Sequence, residues 1–132
     1  MASLFKLAEA KPLGLPGRKA FELVSGARGS RSVTLRLVEI GVPEPGEPVR
    51  APHQHNDFEE CIYVLSGEGT TFADSGEYPL RSGDALLMPA GETHVTRNTG
   101  TQPLFLLCFF PVADIRSGTE EPGAADGLRK PS

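Results

Sequence analysis

The chain has 132 residues, of which 39% are hydrophobic, and it carries a formal net charge of −4. This length fits one domain with a modest core. An acidic chain with scattered arginines lacks the basic surface of a nucleic-acid-binding protein, and no run approaches the roughly 18 apolar residues of a membrane span. The 15 glycines and 12 prolines favour short strands joined by turns over a helical bundle.

Residues 1–20 form the first distinct segment, and they are rich in Lys, Pro and Gly. Their apolar runs are too short for a signal peptide. We therefore expect an extended N-terminal arm, of the kind that can add to the sheet edge of a partner chain.

Beyond the arm, apolar and β-branched residues alternate in segments that Gly, Pro, Asn and Asp separate, which is the pattern of strands joined by turns. In chain order we predict strands at 19–26, 32–40, 49–55, 58–67, 85–89, 93–98 and 104–112, with a hairpin over 67–80 that closes at Asp74-Ser75-Gly76. Pro52 places the 49–55 strand at a sheet edge or bulge. The unbroken apolar run of 104–112 predicts a strand buried on both faces.

Strands at intervals of roughly 8–12 residues, with no convincing helix between them, predict an all-β sandwich or barrel. Closing the sheet also removes its exposed edges. We expect a single barrel domain over 21–113, followed by a flexible polar tail over 114–132. Cys61 and Cys108 lie in apolar runs and are predicted to be buried, reduced thiols of a cytoplasmic protein.

Two of the three histidines, His53 and His55, are separated by one residue. In a strand, residues i and i+2 point to the same face, about 6.6–6.8 Å apart, so both imidazoles can approach one ion. The turn that follows sends the chain back as a neighbouring strand. There Glu60 shares the predicted interior face with Ile62 and Val64, while Glu59 lies at the rim or outside.

The third histidine, His94, opens a strand after a tight turn. Three imidazoles and one carboxylate suit Fe(II), Mn(II), Ni(II), Cu(II) or Zn(II) and leave open positions in an octahedral shell. Open positions are typical of a catalytic metal rather than of a structural zinc. We predict one divalent transition metal per chain, and its identity stays open.

The ligand positions fall within two spaced motifs. The first, G-x(5)-H-x-H-x(3,4)-E-x(6)-G, is Gly46-EPVRAP-His53-Q-His55-NDFE-Glu60-CIYVLS-Gly67, with six residues instead of five after the first glycine. This extra residue changes the length of a loop and leaves the ligand positions unchanged.

The second motif, G-x(5)-P-x-G-x(2)-H-x(3)-N, is Gly83-DALLM-Pro89-A-Gly91-ET-His94-VTR-Asn98, without departure. Together the two motifs resemble those of the cupins, small β-barrel proteins, over residues 32–112. The resemblance implies a cupin-type antiparallel β-barrel, also described as a jelly roll or double-stranded β-helix, with a metal ion inside its mouth. Carried over position by position, the implied metal ligands are His53, His55, Glu60 and His94.

A barrel of this kind has a small-molecule pocket with apolar walls. We predict that it is lined by Ile62, Val64, Met88, Thr96, Phe105 and Phe109. Arg36 could reach a substrate carboxylate, although a surface position is the simpler interpretation. Glu60 and Tyr63 are the candidates for a catalytic acid or base, but Glu60 is already a ligand and Tyr63 faces away from it by strand parity.

The resemblance implies a mononuclear metal-dependent enzyme acting on a small organic molecule. We favour dioxygenase chemistry, because the ligand set leaves positions for substrate and O₂. The alternatives are a non-redox isomerase, lyase, decarboxylase or cyclase, and a non-enzymatic module that binds or senses a small molecule. The expected partners are a small-molecule ligand and a second copy of the chain in a homodimer, with neither nucleic acid nor membrane.

Overall fold

Alternating side chains and turn residues divide the chain into short strands, as the sequence predicts. A computed structural model describes residues 1–48 and 50–120, and these residues form an all-β fold. The strands are β1 (Lys19–Val24), β2 (Thr34–Ile40), β3 (Gln54–His55), β4 (Glu60–Ser66), β5 (Glu68–Ala73), β6 (Gly76–Arg81), β7 (Ala85–Met88), β8 (His94–Asn98), β9 (Leu104–Phe110) and β10 (Thr119–Glu120). Short 3-10 helices cover Leu7–Glu9, Gly26–Arg28 and Arg116–Gly118. In this part of the chain, no helix has the length and apolar character needed to span a membrane.

The strands form three antiparallel sheets. The largest has the order β1-β2-β9-β4-β7, the second has the order β6-β5-β8, and β10 pairs with β3. A backbone bridge between His53 and His94 joins the segment before β3 to the first residue of β8. The predicted cupin-type antiparallel barrel is confirmed.

The core follows from alternation along β2, β4 and β9, in which every second side chain is buried except at Ser66, the last residue of β4. Burying a large apolar side chain contributes about 1.5–3 kcal/mol, so these inward residues hold the barrel together. They include Val38, Ile40, Ile62, Val64, Leu104, Leu106, Cys108 and Phe110, with Leu80 from β6.

Two strand predictions need correction. The strand expected over 49–55 is reduced to Gln54–His55, because Pro52 has no backbone N–H to donate to a ladder; Val49 lies outside the described residues. Strand β9 is not buried on both faces: its alternate residues Phe105 and Leu107 are half-buried and Phe109 is exposed. In the described residues, the sheet has a packed layer on one face only.

The N-terminal arm differs from the extended segment that its composition predicts. Pro12 forms a backbone bridge with Phe21, and the Leu13 N–H donates to the Ala20 carbonyl at 2.8 Å. Leu13 and Leu15 pack against the core. The second half of the arm therefore folds back onto its own barrel.

The beginning of the predicted flexible tail is part of the fold. Ile115 is buried, and β10 pairs with β3 so that Thr119 lies opposite His55. We call the segment 115–120 the strap. The rest of the predicted tail, 121–132, lies outside the described residues.

The two cysteines occupy different environments. Both are free; Cys108 is buried and Cys61 is exposed. The prediction of two buried thiols is therefore wrong for Cys61, because β4 turns its odd-numbered residues outward.

Gly67 is the turn glycine on which the β4–β5 connection depends most strongly. Its φ is +87°, and an added Cβ would lie 2.5 Å from the Pro103 carbonyl oxygen. Gly83 has a similar φ of +91° with nothing within 4 Å of the added Cβ, which makes it a matched control. We expect Gly83→Ala to lower the free energy of unfolding by about 1–2 kcal/mol, because alanine is strained in a left-handed backbone conformation. Gly67→Ala should lower it by at least about 2 kcal/mol more, because its Cβ also clashes with Pro103.

Urea unfolding of the two variants measures this difference. Equal losses of unfolding free energy would show that the close approach of Pro103 is not a constraint on the fold.

Candidate metal centre

Three short elements bring the four predicted ligands together. His53 precedes β3, His55 belongs to β3, Glu60 opens β4 and His94 opens β8. The backbones of His53 and His94 exchange two hydrogen bonds, at 2.9 and 2.7 Å, so these two side chains are fixed side by side. All four residues are buried, and one ligand atom from each lies within 4.8 Å of the others. Glu59 is exposed, as predicted.

The strap fixes the orientation of the His55 ring. The Thr119 hydroxyl donates to the Ile115 carbonyl at 2.6 Å, so its oxygen accepts the hydrogen bond from Nδ1–H of His55 at 2.8 Å. The other ring nitrogen, Nε2, then faces Oε1 of Glu60 at 3.2 Å. Phe58 stacks on the same ring with centroids 5.0 Å apart.

His94 has the same arrangement with a different partner. A carbonyl oxygen only accepts, so Nδ1–H of His94 donates to the Glu92 carbonyl at 2.9 Å. Its Nε2 lies 3.1 Å from Oε1 of Glu60. In the neutral form of each ring, two Nε2 lone pairs therefore point at one carboxylate oxygen.

Burial and the neighbouring ligand groups shift the pKa values of three of the four cluster residues. Burial alone would raise the pKa of Glu60, but hydrogen bonds with His55 and His94, which require a proton on Nε2 in addition to the one on Nδ1, hold it well below its usual value. Burial and the neighbouring His94 lower the pKa of His53 far below its usual value, so His53 is neutral and keeps a lone pair. Burial would also lower the pKa of His94, but the Glu60 carboxylate raises it.

A buried carboxylate between two imidazole nitrogens needs a positive charge beside it. A proton on one ring supplies that charge locally, whereas a divalent ion serves all four ligand atoms at once. Borderline metals prefer such nitrogen and carboxylate ligands, and hydrogen bonds donated by the far Nδ1–H groups are the usual way to orient metal-binding histidines. The residues present therefore fit a divalent transition metal.

A cavity of about 40 Å³ lies beside this cluster. Its walls combine apolar groups, the cluster and three arginines. The lining residues are Leu15, Arg18, Arg36, Val38, Ile40, Arg50, His53, Glu60, Ile62, His94, Thr96, Leu106, Cys108 and Phe110.

Of the predicted pocket residues, Ile62 and Thr96 line this cavity. Val64 and Met88 are buried but do not line it. Phe105 and Phe109 were assigned to the wrong face of β9, since the even-numbered residues of that strand point inward.

Tyr63, the other predicted catalytic candidate, lies on the side of β4 away from Glu60. The parity that turns it away from Glu60 is present, but it leads to the exterior, where 42% of the residue is exposed. Among the predicted catalytic candidates, only Glu60 lies at the cavity.

Arg36 was expected on the surface, but it is buried and pairs with Glu22 at 3.1 Å. Arg36 lies on the same face of β2 as Val38 and Ile40, so strand alternation would have indicated an inward position. Arg18 and Thr119 were missed altogether, because they come from an arm and a tail whose composition shows no periodicity. Arg50 was missed because its loop has no strand parity to follow.

The chain is similar to a known family and to several known proteins. A family model described as "Cupin domain" matches residues 40–110. Protein SchB of Streptomyces halstedii is 39% identical over 67 residues, which are 51% of this chain and 48% of SchB. An oxalate-binding protein of Thermotoga maritima is 35% identical over 63 residues, which are 48% of this chain and 51% of that protein. The matches thus span about half the length of these relatives.

Solved structures share the fold at low identity. The polyketide cyclase RemF of Streptomyces resistomycificus has a TM-score of 0.73 at 22% identity, covering 96% of this chain and 89% of RemF. The oxalate decarboxylase of Lactobacillus farciminis also has a TM-score of 0.73, at 21% identity, and covers 89% of this chain and 35% of the decarboxylase. At these identities the likeness shows the fold alone.

The Thr119 hydroxyl gives a direct test of the strap. We expect Thr119→Val to weaken divalent metal binding by about 10–100-fold, the usual loss when a group that orients a ligand is removed. Thr119→Ser keeps the hydroxyl and should retain most of the affinity. Competition with a chromogenic chelator measures both dissociation constants, and equal affinities for the wild type and Thr119→Val would contradict the role assigned to the strap.

Proposed function

The chain belongs to the cupin domain family, and from its buried cluster of three histidines and one glutamate we propose that it is a metal-dependent cupin enzyme that acts on a small organic anion. The observation that carries the proposal is the convergence of His53, His55, Glu60 and His94, three of which line the cavity. We propose that these four residues hold one Fe, Mn, Ni, Cu or Zn ion. When bound, such an ion supplies Lewis-acid polarisation of a substrate oxygen.

The charges around the cavity support an anionic substrate. Arg18, Arg36 and Arg50 line it, and Glu60 is the one carboxylate among the lining residues that the structure describes. Burial, followed by the repulsion of Arg50 and Arg36, lowers the pKa of Arg18 to about 9. A bound anion would relieve this repulsion, and guanidinium groups bind carboxylates with charge-assisted hydrogen bonds. The oxalate-binding protein of Thermotoga maritima is a relative named for such a ligand.

The cavity volume limits the size of the substrate. About 40 Å³ is a few times the roughly 10–15 Å³ that a cavity needs to hold one water, and far below the roughly 300–1,000 Å³ of drug-sized sites. A small acid matches this space better than a polycyclic molecule does. A larger substrate would have to displace Leu15 and Arg18 of the arm.

The named activities of similar structures favour decarboxylase or cyclase chemistry over the dioxygenase reaction that the ligand set suggested. Polyketide cyclase and oxalate decarboxylase are the named activities among the similar structures. Burial, followed by the charge of Glu60, raises the pKa of the Cys108 thiol well above its usual value, so it stays protonated. Decarboxylation suits this cavity because it needs no separate base: CO₂ would leave, the bonding electron pair would stay on the substrate, and that carbon would then take up a proton from solvent.

A second candidate is a binding protein that holds the anion without converting it. The oxalate-binding relative favours it, and so does the lack of a free base among the described lining residues. A turnover assay distinguishes these possibilities. An enzyme releases CO₂ or a cyclised product, a dioxygenase consumes O₂, and a binding protein returns the anion unchanged.

For either function, the free cysteines fit the reducing conditions of the cytoplasm.

Metal content is the first test of the proposed site. We expect about one equivalent of a transition metal per chain in protein purified without chelator, and loss of at least about nine-tenths of it in His53→Ala/His55→Ala, because half of the donor set is removed. Elemental analysis measures both. A wild type that stays empty after reconstitution, or a double variant that keeps its metal, would contradict the proposal.

Anion binding is the second test. We expect Arg18→Met to weaken oxalate binding to the metal-loaded protein by about 10-fold or more, the effect of losing one charge-assisted hydrogen bond. Arg31→Met removes the same charge from an exposed loop position and should leave the affinity within about twofold. Calorimetric titration compares the variants, and equal losses would indicate that only net charge matters.

A further inference from the structure

Two buried threonines lie side by side at the edge of the cavity. Thr71 of β5 and Thr96 of β8 are directly opposite each other in the antiparallel pairing of these strands, and their Oγ1 atoms are 2.7 Å apart. Thr96 lines the cavity, whereas Thr71 does not. Thr71 is 0% exposed and Thr96 is 6% exposed, so neither hydroxyl can exchange its partner for bulk water.

The hydrogen bond between these two hydroxyls uses only one of their two protons. Each threonine hydroxyl has one proton to donate and lone pairs that accept. Within the described residues, neither hydroxyl has a second hydrogen-bond partner. A buried O–H without an acceptor is unfavourable, so the direction of the shared hydrogen bond decides which proton still needs a partner.

The position of the cavity decides this direction. If Thr96 donated to Thr71, the proton of Thr71 would face packed protein, where the described residues offer it no acceptor. If Thr71 donates to Thr96, the proton of Thr96 is left to face the cavity, which at about 40 Å³ has room for an accepting oxygen atom. The second arrangement lets both protons find an acceptor, as buried polar groups almost always do.

A second pair of threonines on the same strands shows what a purely structural pair looks like. Thr70 of β5 and Thr99, which follows β8, have Oγ1 atoms 3.4 Å apart at an exposed position. Cross-strand hydroxyl pairs of this kind stabilise a sheet. Neither residue lines the cavity, so Thr70 is a matched control for Thr71: it has the same side chain, one position along the same strand.

Thr96 brings a different kind of donor to the cavity from the arginines. Arg18, Arg36 and Arg50 supply positive charge, which attracts small anions of any shape. Among the described lining residues, Thr96 has the only hydroxyl. An oriented hydroxyl proton requires an oxygen atom at one point of the cavity, because an apolar group placed there would leave a buried donor without a partner. Thr96 therefore selects among the anions that the arginines attract.

We propose that Thr96 is a substrate-binding residue whose hydroxyl donates to an oxygen atom of the bound organic anion, and that Thr71 is the positioning residue that turns this proton towards the cavity. Thr96 and His94 both line the cavity, as residues i and i+2 of one strand share a face. Strand β8 thus presents a metal ligand and a substrate donor together. The anion rests on the proposed function, whereas the direction of the two hydroxyls follows from the protein alone.

Calorimetric titration of the metal-loaded protein with oxalate tests both roles. We expect Thr96→Val to weaken binding by about 10-fold or more, because a hydrogen bond to a charged oxygen is lost. Thr71→Val should weaken it by about threefold or more, the effect of one neutral hydrogen bond, whereas Thr71→Ser keeps the donor and should retain most of the affinity.

The controls separate positioning from a general defect. In the Thr96→Val background, Thr71→Val should have no further effect on oxalate binding, because it acts through Thr96. Thr70→Val removes a hydroxyl from the same strand and should leave the affinity within about twofold of the wild type. The metal content of every variant should stay at the wild-type value, which shows that the variants are folded.

Two binding results would overturn the proposal. One is an equal oxalate affinity of the wild type and Thr96→Val. The other is a loss from Thr71→Val that persists in the Thr96→Val background, because such a loss would come from a defect in the sheet.

Neutron diffraction from crystals of the wild type in D₂O tests the hydroxyl directions without any ligand. We expect the deuteron of Thr71 between the two oxygen atoms and the deuteron of Thr96 facing the cavity, and the reverse arrangement would overturn the proposal. A wild type that binds no oxalate would contradict the anion of the proposed function, and the neutron map would still decide the hydroxyl directions.

Discussion

The contact on which the site depends is the one between Oε1 of Glu60 and the Nε2 atoms of His55 and His94, at 3.2 and 3.1 Å. The far nitrogens of both rings donate to oxygen atoms, so the near nitrogens offer lone pairs to a buried carboxylate. Such a group is stable only with a positive charge at its centre. The metal proposal follows from this electrostatic requirement, and three imidazole nitrogens with one carboxylate favour a transition metal over a hard cation such as Mg²⁺.

The rest of the fold serves to hold that contact. The bridge between His53 and His94 joins two sheets at the ligands themselves, and the strap closes over His55 from behind. The arm brings Leu15 and Arg18 to the cavity. The barrel thus provides all four ligands. The strap orients the ring of His55, and the arm adds one apolar and one charged side chain to the cavity wall.

Strand periodicity made the barrel and the ligand set predictable, since both depend on which side of a strand a residue faces. Parity placed Glu60 inside and Glu59 outside, and it would also have placed Arg36 inside had it been applied to β2. It failed for Phe105 and Phe109 because both faces of β9 are apolar in sequence. Arg18 and Thr119 lay beyond prediction, because their positions depend on long-range contacts of segments whose local composition resembles that of disordered chain.

The central claim is that His53, His55, Glu60 and His94 hold one ion, and anomalous diffraction from crystals of metal-loaded protein tests it most directly. Data collected above and below the absorption edge of the bound element locate it without reference to the protein model. We expect one peak per chain, in bonding contact with all four side chains. A peak at another place in the chain would contradict this assignment. So would the absence of a peak at the four side chains in crystals of protein that was saturated with metal in solution.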